Sequence, residues 1–327
     1  MRVATLVCGF VVLVSVGFGQ QIAISRVEQM PNKPSPYLMR NWKEVAWGFD
    51  SLAFDFNRTG LYLPIGGMNN ATVNYPSHPS FRLHTVVGTT DPSSAEAITS
   101  LPAVVGASLA GIDKSNQQGT NWALMCEEWF NKKNGTNLYL NHPDAVTGSD
   151  WWYETMPNVF FFQLYNLYPS TGDFRTQFTS IADGWLAAVQ GMGGSTTPWR
   201  LPNLNHRAWN FATQTPNDDD VKEPEAAGAI AWLLYHAYIE SGREQYRVGS
   251  ELALEFLNGL STNPSYEIQM PYGAYVAARM NAELGTEYDI TKMLNWCFDI
   301  GPLRSWGAMV GNWGGYDCSG LIGEIYN

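Results

Sequence analysis

The chain has 327 residues, 45% apolar and 15% charged. That suffices for one large domain or two ordinary ones and excludes a disordered chain. Its net charge of −11, with no cluster of Lys and Arg, argues against nucleic acid as a partner and weakly disfavours polyanionic substrates. The 13 Trp, 16 Tyr and 15 Phe are many for this length; flat aromatic faces stack on sugar rings as well as fill cores, so the excess tilts the reading towards neutral glycans.

In chain order, Met1-Arg2, the apolar run Val3–Val16 and the small residues of Gly17-Phe18-Gly19 form a secretory signal pattern, with residues 1–19 removed after Gly19. The run is short for a span of ~20 residues, and no later segment reads as one, so a secreted or periplasmic chain without a stable membrane span is expected. Residues 20–36 are a polar, proline-dotted lead-in to a single domain over 37–327. Cys8 falls in the signal, leaving Cys126, Cys297 and Cys318, an odd number that cannot pair completely. There is no CxxC.

Helical spacing of Trp42, Val45, Phe49, Leu52 and Phe56 predicts a helix over 37–56. A Gly-, Asn- and Pro-rich loop follows over 61–94, with a strand near 81–87. Further helices are predicted over 100–112, 121–131, 150–168, 174–190, 224–240, 244–257, 272–284 and 290–298. A long loop covers 191–222, and a Gly- and Trp-rich tail begins at Gly301. Small-residue helices alternate with amphipathic ones, and no fixed-period repeat is visible, which argues against a TPR-type solenoid. Stacked helical hairpins, left open or closed into a ring, are the consistent plan.

The blocks Tyr-Leu-Met-Arg-Asn-Trp-Lys-Glu-Val-Ala at 37–46, Val-Gly-Ala-Ser-Leu-Ala-Gly-Ile-Asp at 105–113, Asp-Trp-Trp-Tyr-Glu at 150–154, Glu-Pro-Glu-Ala-Ala-Gly at 223–228 and Pro-Tyr-Gly-Ala-Tyr-Val-Ala-Ala-Arg-Met-Asn-Ala-Glu at 271–283 resemble those of secreted bacterial proteins of the (α/α)6-toroid, six-hairpin glycosidase type. The resemblance implies an all-α toroid of helical hairpins with long loops forming a funnel. It does not single out one glycosidase family whose catalytic pair could be transferred. With about nine predicted helices against the twelve of a closed toroid, the ring is expected to be incomplete or the sequence to stop short at its C-terminus.

Glycoside hydrolysis needs two carboxylates flanking the bond, one donating a proton and the other serving as base or nucleophile. Ser149 reads as a helix N-cap, with Asp150 at the positive end of the dipole and Glu154 one turn on. Pro157 either kinks this helix or marks a restart. Two acids on one turn cannot easily flank a glycosidic bond, so Asp150 or Glu154 is expected to face Glu225 or Asp317. Each of the four also has a plainer role as a helix-capping or surface acid. Trp151, Trp152, Tyr153, Trp313 and Tyr316 are candidate stacking residues, and His206, Arg207, Glu223 and Tyr272 candidate polar contacts. A uronate lyase using Asn205, His206, Arg207, Tyr272 and Arg279 is the rival chemistry, and a non-catalytic glycan-binding protein the rival class. Glu127 and Glu128 read as a solvated face, Asp218-Asp219-Asp220 as a surface loop and His236 as a core histidine. The five histidines form no HExxH, so no metal or other cofactor is expected. A monomer acting on carbohydrate is the expected state.

Overall fold

The computed structural model of the chain describes residues 22–30, 41–86, 88 and 94–325; the expected signal segment lies outside the described residues, as do positions 37–40 of the first predicted helix. The architecture is mostly helical. Among the described residues ten helices run in the order α1 (Ser25–Glu28), α2 (Trp42–Ala53), α3 (Ala97–Leu109), α4 (Trp122–Met125), α5 (Trp151–Leu167), α6 (Phe174–Gly191), α7 (Ala226–Ser241), α8 (Glu244–Gly259), α9 (Met270–Leu284) and α10 (Ile290–Phe298). Among the same residues the strands form five two-stranded antiparallel ribbons: β1 (Gly66–Asn69) with β2 (Ser80–Leu83), β3 (Ser195–Thr196) with β4 (Trp199–Arg200), β5 (Ala208–Asn210) with β6 (Thr215–Asn217), β7 (Trp306–Ala308) with β10 (Ile322–Glu324), and β8 (Asn312–Trp313) with β9 (Tyr316–Asp317). The expectation of an all-α chain therefore needs these ribbons added, three in the connections between helices and two in the tail after α10. Among the described residues no helix is long and apolar enough to cross a membrane.

Local chemistry sets the helix limits. Asp150, not Ser149, caps α5, its side chain accepting from the Trp152 N–H at 2.8 Å. Pro157 lies within α5 without ending it, so the restart is not needed. Gly242 and Gly285 stop α7 and α9 in the left-handed conformation, at φ 69° and 70°. The helix predicted from Ser100 starts at Ala97, where the Asn141 carbonyl takes the Ala97 N–H at 3.1 Å. The amphipathic helix predicted over 121–131 is instead the single turn α4 and a 3-10 turn, Cys126–Trp129. The reason lies in Glu127 and Glu128, which are both buried rather than solvated and are drawn into inward hydrogen bonds.

In the packing, α3 lies against α5, α5 against α7 and α7 against α9; α6 packs on α5, α7 and α8, α8 on α7 and α9, and α10 on α9. α7 is at the centre. Every residue from Ala226 to Tyr235 is buried, as a helix apolar on all faces requires. Against α9 the backbones touch: a Cβ added at Gly228 would meet the Gln269 carbonyl and the Gly273 nitrogen at 3.0 Å, so this contact needs the facing pair Gly228 and Gly273. Aromatic pairs fill the space between α5 and its neighbours, among them Tyr139–Phe161 at 4.1 Å and Tyr165–Phe178 at 4.4 Å. The face of α2 bearing Trp42, Val45 and Phe49 points outward rather than into the core. Cys126, Cys297 and Cys318 are all free thiols.

Candidate functional site

The beginnings of α5, α7 and α9 meet. Thr155 in the first turn of α5 bonds Gln269, the residue before α9, at 2.7 Å, and Glu225, the residue before α7, accepts the Glu267 N–H. The ribbon β5–β6 closes over this junction. It is fixed from below: Trp151 donates its N–H to the Arg207 carbonyl at 3.1 Å and its indole N–H to the His206 carbonyl at 2.8 Å, and the same His206 carbonyl takes the Glu223 N–H at 2.9 Å.

Glu154 is the anchor of this closure. It accepts from the N–H groups of Gly148, at 2.5 Å, of Ser149, at 3.0 Å, and of Trp209, at 3.2 Å, and is 2% exposed. Burial pushes its carboxyl up to about 7, against the downward pull of those three donors. Gly148 stands at φ 97°, and a Cβ there would strike Asn210 at 2.9 Å, so the turn that feeds Glu154 requires glycine.

Around Asp150 the arrangement is different. The Arg207 guanidinium bridges Asp150 and Glu223, and its Nε donates to the Ser149 carbonyl at 3.3 Å. Arg304 bridges Glu267 and Glu324. The Tyr266 ring lies beneath both guanidiniums, 5.7 Å from that of Arg207 and 5.2 Å from that of Arg304. Four carboxylates thus share two cations, and Glu225 is buried just behind them. The charge balance shows in the acids. Burial, then the Asp150 carboxylate, pushes Glu223 up to about 9 despite Arg207, and the same two causes in the same order push Glu267 up to about 7 despite Arg304. Burial raises Asp150 as well, opposed mainly by Arg207. Glu225 is pushed to about 7 by burial, with N–H bonds from 266–269 opposing. One carboxyl oxygen on each of Glu223, Glu225 and Glu267 is buried without a protein partner.

Access separates these groups. The side chains of Asp150 and Glu267 are 15% and 16% exposed, that of Arg304 34%, and that of Glu223 0%. Tyr153, one residue from Trp152 on α5, is exposed beside them. The partly open carboxylates are Asp150, Glu267 and Glu324, the last with its side chain 28% exposed, and they come from different elements; in Glu267 the oxygen not bonded to Arg304 is itself buried.

The remaining sequence candidates fall elsewhere or turn inward. Trp151 is fully buried and Trp152 packs partly against the core, so Tyr153 is the open aromatic of that turn. Glu225 does not sit in the first turn of α7 but just ahead of it and is fully buried; it holds the chain leading to α9. His206 bonds Asp218 at 2.8 Å, and Asp218 also meets Lys222 at 3.2 Å. Tyr272 packs edge-on against Trp232, 5.6 Å away, while Arg279 pairs with Glu283 nearly two turns further along α9. Asp317, Trp313 and Tyr316 are exposed on the β8–β9 ribbon, where the Asp317 carboxylate accepts the Ser319 N–H at 3.0 Å within its own turn. His236 is stacked on Trp232 and bonded to Asn166, and its burial lowers it to about 4.

Sequence reasoning missed Glu267, Tyr266 and Arg304. The first two carried a usable signal: Tyr266-Glu267 stands just ahead of a Pro-started helix, an acid beside an aromatic at a helix entrance, as at Asp150–Tyr153. Among the described residues no group of three or more His, Cys, Asp or Glu is placed to hold a metal ion. Comparisons of the chain with family models, with curated proteins and with solved structures give no match.

Proposed function

We propose that the chain is a secreted or periplasmic glycoside hydrolase acting on neutral poly- or oligosaccharides, with Glu267 as proton donor and Asp150 as its partner carboxylate. The observation that carries this reading is the pair itself: two partly exposed acids, delivered by the start of α5 and by the segment before α9, one of them raised to about 7. A carboxyl that keeps its proton near neutrality can donate it to a glycosidic oxygen as the bond to the anomeric carbon breaks. Asp150, held by Arg207, is the second carboxylate, serving as base or nucleophile at the anomeric carbon. Tyr153 is the aromatic surface for a sugar ring, and Glu223, out of reach of any substrate, positions Arg207.

The row α3, α5, α7 and α9, with α6, α8 and α10 packed on it, fits part of an (α/α) toroid, the fold that the sequence resemblance implies, with the site at one end of the row. Uronate chemistry gains no support from these contacts, because Arg207 is committed to two carboxylates and His206 to Asp218.

The test is reducing-sugar release from a panel of neutral and uronate-containing glycans by the wild type, Asp150→Asn and Glu267→Gln. Cleavage of a neutral glycan, lost in both variants, is expected. Absorbance from unsaturated ends would mean a lyase, and binding without products across the panel would mean a glycan-binding protein.

A further inference from the structure

A second site lies away from the Asp150 cluster and shares no residue with it. It is a cleft of about 530 Å³ between the C-terminal end of α2 and the turn at 117–120, within the ~300–1,000 Å³ usual for small-ligand sites. Its floor is a buried ion pair. Asp50 Oδ1 meets Lys114 Nζ at 2.8 Å and Oδ2 accepts from Gln117 at 2.6 Å. Lys114 is itself fully buried, 2.5 Å from the Gln117 carbonyl oxygen and 3.0 Å above the Phe54 ring centre. A buried pair of this kind gives little net stability, because desolvating two charges offsets their attraction. What it does here is neutralise the Asp50 carboxylate at the base of a cleft. The other carboxylate of the lining, Asp55, faces Arg58 at 3.6 Å. The lining thus carries no uncompensated charge to select a cation or an anion.

Above this floor stands an aromatic wall, the Phe56 ring meeting Trp122 edge-on at 5.6 Å. The lining also carries amides and a hydroxyl: Asn57, Gln118 and Thr120. The turn that presents them is fixed, since Gln117 and Thr120 exchange two backbone hydrogen bonds of 3.0 Å and Gln118 is held at φ 52°. An aromatic wall, hydrogen-bonding groups of both senses and no net charge match one ligand chemistry. We propose that this cleft binds a neutral polyhydroxylated ligand of mono- to disaccharide size. The site stands whether or not the Asp150 cluster is catalytic.

The experiment follows the backbone amides of Gln118 and Thr120 and the indole of Trp122 by nuclear magnetic resonance in the full chain, during titration with cellobiose and with maltose. Choline chloride and sodium glucuronate are the charged comparators. The expected result is saturable shifts with at least one neutral disaccharide and none with choline or glucuronate. Ser51→Trp, an exposed position on α2 whose indole would fill the cleft, abolishes them. Asn57→Ala weakens binding at least tenfold, and Glu267→Gln leaves it unchanged. Unperturbed resonances elsewhere show that the variants fold. Shifts that persist in Ser51→Trp, that vanish in Glu267→Gln, that arise with choline instead, or that fail to saturate with either disaccharide would overturn the assignment.

Discussion

Two regions of this molecule bury carboxylates, and they do so in opposite ways. Beneath the 73–78 loop, Glu128 accepts the N–H groups of Val73, Asn74 and Tyr75 at 2.6, 3.0 and 3.3 Å. Glu127 beside it accepts the Asp173 N–H at 2.6 Å and the Gln177 amide at 3.0 Å, and meets His78 at 3.2 Å. Glu154 belongs to the same class, with three N–H donors of its own. At the entrance to α5 and α9, by contrast, Asp150, Glu223 and Glu267 lean on guanidiniums that each serve two acids, and Glu223 and Glu267 each keep an oxygen without a partner. A carboxylate satisfied by fixed backbone donors ties chain segments together. Burial raises acids of both kinds, Glu154 and Glu267 alike to about 7, so access separates them: Glu154 is sealed at 2% exposure, while the Glu267 side chain is partly open to solvent.

Exchanging single groups between the two classes tests that contrast. The largest effect is expected from Glu267→Gln, which should lower the turnover of a cleaved glycan by about 10²- to 10⁴-fold, the range for loss of a general acid, with little change in the unfolding midpoint. Glu128→Ala should do the reverse. It strands three backbone donors and is expected to cost on the order of 3 kcal/mol in a denaturant titration, while the specific activity of the folded fraction is kept. Gly228→Ala probes the helix contact that brings the site together. The added methyl has 3.0 Å to the backbone of α9, so a loss of about 1–3 kcal/mol, read from the shift in denaturant midpoint, is expected.

The pH dependence of stability tests the four raised acids together. Glu154, Glu225 and Glu267 at about 7 and Glu223 at about 9 all lie above the ordinary glutamate value of 4.5. The folded state therefore holds more protons than the unfolded state over this range. Their contribution is full below about 4.5 and is lost as pH rises through 7 and then 9. The melting temperature should fall from pH 5 to pH 9, and in Glu223→Gln the upper part of that fall should flatten. A rise over the same interval would mean that the shared guanidiniums hold these acids ionised.

Much of the helical plan was legible because it rests on local signals. Gly242 and Gly285 mark helix ends, and the uninterrupted apolar run of α7 reads directly as a buried helix. The splitting of 121–131 was not legible, since Glu127 and Glu128 look solvent-facing until the loop at 73–75 and the start of α6 arrive to donate to them. Asp150 stands out by its place before a helix, and the facing acid expected from sequence was Glu225 or Asp317, where we propose Glu267. The first is sealed behind the Glu267 N–H and the second lies on an exposed ribbon. Nothing at short range distinguishes Glu223, buried and paired, from Glu267, partly open. The difference arises only when Arg207 and Arg304 come in from positions 57 residues after Asp150 and 37 residues after Glu267.

The most direct measurement is a ¹³C titration of the glutamate carboxyl carbons in the wild type, with the Glu267 resonance assigned by its absence from Glu267→Gln. A midpoint near 7 for Glu267, coinciding with the falling alkaline limb of hydrolysis of a neutral glycan, is the predicted result. A midpoint near the ordinary 4.5 would contradict a proton donor at this position.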